Sequence, residues 1–365
     1  MKRILIEIGH PAHVHQFKNM YWELEKLGWT GLFVTKDKEC AIDLLKAYKL
    51  PYEVLGITKQ GMAAKILSLP YFAGKMLRVA MRFEPDIFIS RVSPLSGWSS
   101  FILRKPHITF TDTENVKLMD SISQPFADII LTSYAYLRDH GRKQLRYPGT
   151  HELAYLHPNW FIPDPSVLDS LGVRAGEKYS IIRYISWSAH HDIGHGGLTP
   201  ENKLTLIDSL SKYSRVFISS EGELPAELEP YRITIDPEQM LSALHYAALF
   251  IGEGATMAEE CSVLGTPSIL ITSCPKGGVI VDLERFKLMD FFTNSPVDQE
   301  KAIELAVKYA RSDDIKTAYR HNRQKMLQDL IDVSSFMVWF VDEYPNSLKE
   351  MKTKVMDFSA YRIKA

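Results

Sequence analysis

The sequence predicts an α/β protein with parallel sheets in two domains, and three observations carry that expectation. Short β-rich runs alternate with segments of helical periodicity along the whole chain. The chain has 365 residues, more than one hydrophobic core usually serves, and 45% of them are hydrophobic, enough to bury two. A stretch rich in proline and aromatics, HPNWFIPDP from His157 to Pro165, breaks the alternation near the middle.

In the first half the strand candidates are RILIEI, GLFVT, YEVL, DIFIS, HITFT and DIILTS. Between the first two, Val14, Phe17, Tyr21, Leu24 and Leu27 recur at helical spacing, and Gly28 closes the helix. In the second half the candidates are YSIIRY, RVFISS, YRITI, ALFI and SILIT. The boundary falls in HPNWFIPDP, which gives a first domain over residues 1–162 and a second over 163–345. FMVWFVDEYP reads as an apolar helix stopped by Pro345, followed by a tail over 346–365 that could cross back to the first domain. A basic and apolar segment, MAAKILSLPYFAGKMLRVAMRF, holds Lys65, Lys75, Arg78 and Arg82. It could rest on an anionic membrane or pack on the first sheet, with Pro70 interrupting its periodicity.

Net charge is −1, so a general nucleic-acid surface is not indicated. Cys40, Cys261 and Cys274 are too few and too far apart for a disulfide framework or a paired metal motif. The N-terminus has no signal-peptide core, and no apolar run approaches the roughly 20 residues of a membrane span. The expected location is the cytoplasm, with at most peripheral contact at the inner face of the membrane. Oligomeric state is left open.

The segment Ala247–Ile271 reads as strand, glycine turn, helix and strand. Its turn, GEGAT, would aim the backbone N–H groups of Gly254, Ala255 and Thr256 at an anion at the positive end of the helix. Gly252 and Gly254 can take positive φ and carry no Cβ to obstruct a diphosphate. Glu260 lies one turn further on, placed to accept from a ribose diol. The alternative is a βαβ unit whose glycines serve only packing. Gly265 and Pro267 end that helix.

Ligands of open α/β sheets sit beyond the carboxyl ends of the strands, so four loops come under scrutiny. GHPAHVHQFK carries His10, His13 and His15, which could contact a transferred group, act as a base or cap the helix. TDTENVK projects Asp112 and Glu114, either helix-capping groups or a general base. Asp112, Glu114 and His13 are the catalytic candidates. ISWSAHHDIGHGG carries Arg183 just before it and then Ser186, His190, His191, Asp192 and His195. Its HHDxxxH spacing invites zinc, but Gly194, Gly196 and Gly197 argue against a regular helix aligning the ligands, so no metal is assigned. Arg183, Ser186, His190 or His191 could instead meet the diphosphate. Lys276, in SCPKGG, could neutralise phosphate or stand as a solvated lysine.

IGHPAHVHQFK, FTDTEN, ELAYLHP, SWSAHHDIGH, SSEGELP and GATMAEECSVLGTP together resemble a family of uncharacterised glycosyltransferase-like proteins of bacteria and archaea. That family is related at a distance to UDP-N-acetylglucosamine 2-epimerase and to the lipid II-forming N-acetylglucosaminyltransferase. The resemblance implies a GT-B fold, two Rossmann-like domains with sheets facing across a cleft, the donor mainly on the second and the acceptor mainly on the first. It implies Gly254–Thr256 as the diphosphate turn and Glu260 as the ribose-binding glutamate. A UDP-sugar is then a substrate, and no cofactor is needed. One segment departs from the epimerases: where they carry Gly-Asp-Thr, this chain has RVSPLSG, and Arg91, Val92 and Ser93 supply no carboxylate. The expected activity is sugar transfer from a nucleotide-sugar donor to a glycan or lipid-linked acceptor. The alternatives are a 2-epimerase or hydrolase of the same donor, or a scaffold without chemistry.

Overall fold

The computed structural model describes residues 1–37, 40–57, 67–115, 117–174, 176–185, 196–220, 222–353 and 356–363. The chain divides into two compact units, Met1–Trp160 with Leu330–Ala365, and Phe161–Asp329.

The first unit holds seven strands: β1 (Arg3–Ile8), β2 (Thr30–Asp37), β3 (Tyr52–Ile57), β4 (Ile87–Arg91), β5 (His107–Thr111), β6 (Ile129–Ser133) and β7 (Gln144–Tyr147). They lie in the order β3-β2-β1-β4-β5-β6-β7, and every pairing is parallel. The order reverses between β1 and β4, which opens a crevice at their carboxyl ends. The helix Pro11–Lys26 forms where the periodicity placed it, burying Val14, Phe17, Tyr21 and Leu24, with Gly28 beyond it at φ 87°. β7 escaped the sequence reading because QLRY is short, charged and at the sheet edge, where one face need not be apolar.

The helix Leu69–Phe83 buries Phe72, Met76, Val79 and Ala80 against Leu5, Val34, Leu55, Phe88 and Leu95. Pro70 sits in its first turn, where the missing N–H has no partner to lose, so it starts the helix and does not interrupt it. Lys65 and the rest of 58–66 lie outside the described residues.

The returning segment from Leu330 packs on the N-terminal part of the same unit. Asp332 caps the helix Val333–Asp342 and accepts from Trp160 Nε1 at 2.6 Å and Asn159 Nδ2 at 2.8 Å. At the other end of that helix, Asp342 accepts from Trp29 Nε1 at 2.8 Å. The FMVWFVD helix therefore belongs to the first unit, although the sequence reading set it in the second domain. Its apolar face finds Tyr147 and the chain's own C-terminal aromatics Phe358 and Tyr361.

The second unit holds β8 (Tyr179–Tyr184), β9 (Arg215–Ser220), β10 (Leu249–Gly252), β11 (Ser268–Ile271) and β12 (Asp290–Phe292). Their order is β12-β11-β10-β8-β9, again parallel throughout. The switch point here lies between β8 and β10. YRITI does not become a strand: Glu229–Tyr231 is a 3₁₀ turn and only the Ile218–Arg232 bridge forms beside β9. Pro230 and Pro237 bracket that segment, which limits the ladder it could extend.

Candidate functional sites at the strand ends

In the second unit β10 runs into the turn Gly252-Glu253-Gly254, and the helix Ala255–Leu264 follows at once. Neither glycine has positive φ, contrary to the sequence expectation; Gly254 is extended at φ −94°. What requires glycine is close approach. A Cβ on Gly252 would lie 2.7 Å from Arg183 Cβ and 3.0 Å from Arg183 O. Gly254 is the N-cap and supplies no side-chain cap, while Gly254, Ala255 and Thr256 reach solvent. Amides at such a helix start can meet an anion. Gly265 closes the helix at φ 75°, and Thr266 N donates to Cys261 O at 2.9 Å, as the LGTP signal implied.

Glu253, passed over in the sequence, is the polar centre of this turn. It is 2% exposed and accepts from Ile185 N at 3.1 Å and Leu198 N at 2.8 Å, with Lys203 Nζ 3.5 Å away. It thereby joins the chain leaving β8 to the chain entering the helix Pro200–Ser211. Gly196 N adds a bond to Ser273 Oγ at 2.9 Å, beyond the end of β11. Ser186, His190 and His191, with Asp192 and His195, lie outside the described residues.

Arg183, near the end of β8, is half-buried and donates to Ser219 Oγ at 2.8 Å. Glu260 is buried, 5% exposed, and its charge contributes after burial itself to holding the Cys261 thiol protonated. Lys276 is engaged by Glu284, at 2.8 and 2.7 Å to its two oxygens, and lies over the Phe291 ring.

In the first unit the three histidines of GHPAHVH separate into different roles. His10 is the N-cap, its Nδ1 accepting from Ala12 N at 3.2 Å. His15 is buried against Tyr155, and burial, then Lys18 and His10, lower its pKa to about 3. His13 Nδ1 accepts from Gly9 N at 3.1 Å. A neutral His13 so held carries its proton on Nε2, which makes that nitrogen a donor and not a base.

Asp112 and Glu114 also part. Glu114 turns to the loop after β6, its Oε1 accepting from Leu137 N at 3.2 Å. Asp112 enters a network at the carboxyl ends of β4 and β5. Arg91 pairs with Asp112 Oδ1 and donates to Gln16 Oε1 at 2.9 Å. His151 Nδ1 lies 2.5 Å from Asp112 Oδ2, and His151 Nε2 lies 2.9 Å from Glu152 Oε1. His151 is 6% exposed and Glu152 fully buried. Arg91, read in the sequence only as a lost carboxylate, is the counter-ion of a carboxylate supplied by the neighbouring strand. His151 and Glu152 were missed. The available signal was the His-Glu pair at the head of ELAYLHP, just past the end of a strand that was itself unseen.

Ligand-type atoms of Asp112, His151 and Glu152 all lie within 4.8 Å of one another. That mutual spacing is compatible with holding a metal ion, and all three donors are of types that metal ions accept. RVSPLSG meets a different carboxylate: Glu7 accepts from Ser93 Oγ at 2.7 Å, Ser96 N at 3.1 Å and Ser96 Oγ at 2.5 Å. It thereby fixes the start of the helix Pro94–Leu103.

A protein-family model described as "Protein of unknown function (DUF354)" matches residues 2–345. The chain belongs to that family. A curated relative, the uncharacterized protein MJ0665 of Methanocaldococcus jannaschii, is 24% identical over 282 residues, covering 73% of this chain and 80% of the relative. Among solved structures, a candidate UDP-N-acetylglucosamine 2-epimerase from Listeria monocytogenes superposes with TM-score 0.65 at 12% identity, covering 99% of both chains. MnaA of S. aureus, determined with UDP, gives TM-score 0.67 at 9% identity over 96% of this chain and 98% of that one. The spinosyn forosaminyltransferase SpnP gives 0.63 at 11% identity over 96% and 100%. This DUF354 chain therefore has the α/β GT-B fold, with parallel sheets of seven and five strands. Among the described residues no helix is long and apolar enough to cross a membrane.

Proposed function

We propose that this protein is a nucleotide-sugar-dependent glycosyltransferase whose second unit binds the donor diphosphate and whose first unit presents a glycan or lipid-linked acceptor. The observation that carries the proposal is the Gly252–Gly254 turn. It stands at the switch point of a parallel sheet and opens a ten-residue helix whose first amides are not capped by a side chain. Gly254, Ala255 and Thr256 would hold the diphosphate, Arg183 would add positive charge, and Glu260 would take the ribose. Structural neighbours solved with UDP and with dTDP support a nucleotide diphosphate as ligand, with UDP the first to try.

On this reading the acceptor hydroxyl loses its proton to the Asp112 region while its oxygen bonds to the sugar's anomeric carbon. The bond from that carbon to the diphosphate breaks, and the amides take up the negative charge of the departing group. The chemistry invokes no metal and no cofactor beyond the donor. The test is titration calorimetry of the intact chain with UDP. Glu260→Ala is expected to weaken UDP at least tenfold, with unchanged circular dichroism. Equal affinity in parent and variant would remove Glu260 from the site, and no binding of UDP or dTDP by the parent would remove the proposal.

A second reading, epimerisation or hydrolysis of the same donor, draws on the pairing of two carboxylates with an imidazole at Asp112, His151 and Glu152. Incubation with UDP-N-acetylglucosamine alone separates the two. A new sugar isomer or free UDP favours the second reading, and an unchanged donor favours transfer.

A further inference from the structure

His151 carries a buried polar atom that the fold itself does not satisfy. Its side chain is 7% exposed, and its Nδ1 has no hydrogen-bond partner although Asp112 Oδ2 stands 2.5 Å away. Buried ring nitrogens are ordinarily paired, and one that is not points to a ligand. The nitrogen and the oxygen are closer than an ordinary N–H···O bond yet are not aligned as one. Two ligands of one cation can stand in that relation, because each directs a lone pair at the ion and not at the other. Beside His151 on the chain, Thr150 Oγ1 is also buried without a hydrogen bond.

Glu152, fully buried, brings a second carboxylate to 2.9 Å from the same ring. Ligand-type atoms of Asp112, His151 and Glu152 span no more than 4.8 Å. An ion about 2.1 Å from each donor keeps its ligands within about 4.2 Å of one another, so closing the set takes a shift of roughly half an ångström. The backbone holds the donors in place. Asp112 follows β5 directly, and β7 lies two strands along the same sheet. In the turn after β7 a Cβ on Gly149 would lie 2.7 Å from Val333 Cγ2, and the carbonyls of His151 and Glu152 accept from Ala154 N and Tyr155 N, each at 3.0 Å. We propose that Asp112, His151 and Glu152 bind a divalent transition cation of the zinc or manganese kind. An imidazole beside two carboxylates favours such ions over magnesium, which prefers oxygen ligands and keeps several of its waters. Arg91 pairs with Asp112 Oδ1 and leaves Oδ2 to the ion. Three protein ligands leave a position for an oxygen, that of water or of a sugar hydroxyl. This site goes beyond the transfer reading, whose steps stand without the ion.

The test needs no turnover. The intact chain is stripped with EDTA and titrated by calorimetry with ZnCl₂, MnCl₂ and MgCl₂. One zinc or manganese ion is expected to bind at this cluster, magnesium far more weakly, and His151→Gln to weaken it by about a hundredfold or more. Co²⁺ in place of zinc is expected to give the parent a visible absorption band that His151→Gln removes. Asp112→Asn, which alters a ligand from another strand, serves where the first variant fails to fold. The histidines of ISWSAHHDIGHGG are the rival ligands, so His191→Ala is measured alongside and is expected to keep the ion. No saturable binding of zinc or manganese by the parent overturns the proposal, as does binding that His151→Gln or Asp112→Asn leaves unchanged. UDP calorimetry on the same chain keeps the two ideas apart. UDP binding without an ion strikes this site alone, and ion binding without UDP or dTDP strikes the transferase reading alone.

Discussion

Removing the Glu253 carboxylate should loosen the second unit at the nucleotide turn itself. The group is 2% exposed and receives two backbone N–H groups, from Ile185 and Leu198. Glu253→Ala leaves both donors in the interior without an acceptor, at about 1–3 kcal/mol each, and the loss of side-chain packing adds to that. A total of about 3–5 kcal/mol is expected. Glu253→Gln is the sharper variant because volume is kept. One oxygen remains to accept from one amide, and the NH₂ then faces the other as donor against donor, which should cost about 2–3 kcal/mol. Urea unfolding of the intact chain, followed by fluorescence, measures this as a lowered midpoint of the transition that UDP raises. UDP affinity should fall as well, because the turn holding Gly254 loses its tie to the chain after β8. A midpoint for Glu253→Gln within error of the parent would refute the argument, since two buried amides cannot share one acceptor oxygen at no cost if the geometry is right.

The other expectations concern packing and pH. Gly252→Ala sets a Cβ 2.7 Å from Arg183 Cβ and 3.0 Å from its carbonyl oxygen, so it should cost about 1–3 kcal/mol in urea unfolding. An unchanged midpoint would show that the strand ends give way. His15 in the fold stays neutral down to about pH 3, whereas an unfolded imidazole takes its proton near 6.5. The unfolded state binds more protons between those values, so stability falls as pH drops through that window, by up to about 1.4 kcal/mol per pH unit for this one group. His15→Phe, which keeps the ring stacked on Tyr155, should flatten the acid side of a stability-against-pH curve. An unaltered slope would remove His15 from the account.

Much of the fold and part of the candidate site could be read from residue order, and the reason is locality. The period of Val14, Phe17, Tyr21 and Leu24, the β-rich runs, Gly28, and the LGTP closure of the helix Ala255–Leu264 are set by neighbours a few residues away. Sequence alone determined the alternating α/β pattern and the glycine turn after β10. The tertiary structure decided everything that depends on which strand end lies beside which. Order β3-β2-β1-β4-β5 puts Arg91 next to Asp112, and a strand too polar to notice brings His151 and Glu152 behind them. The same distance in sequence hid Glu253, whose partners come from the far side of β8, and moved the FMVWFVD helix onto the first unit. Buried charge finds its partner across strands, where sequence separation carries no signal.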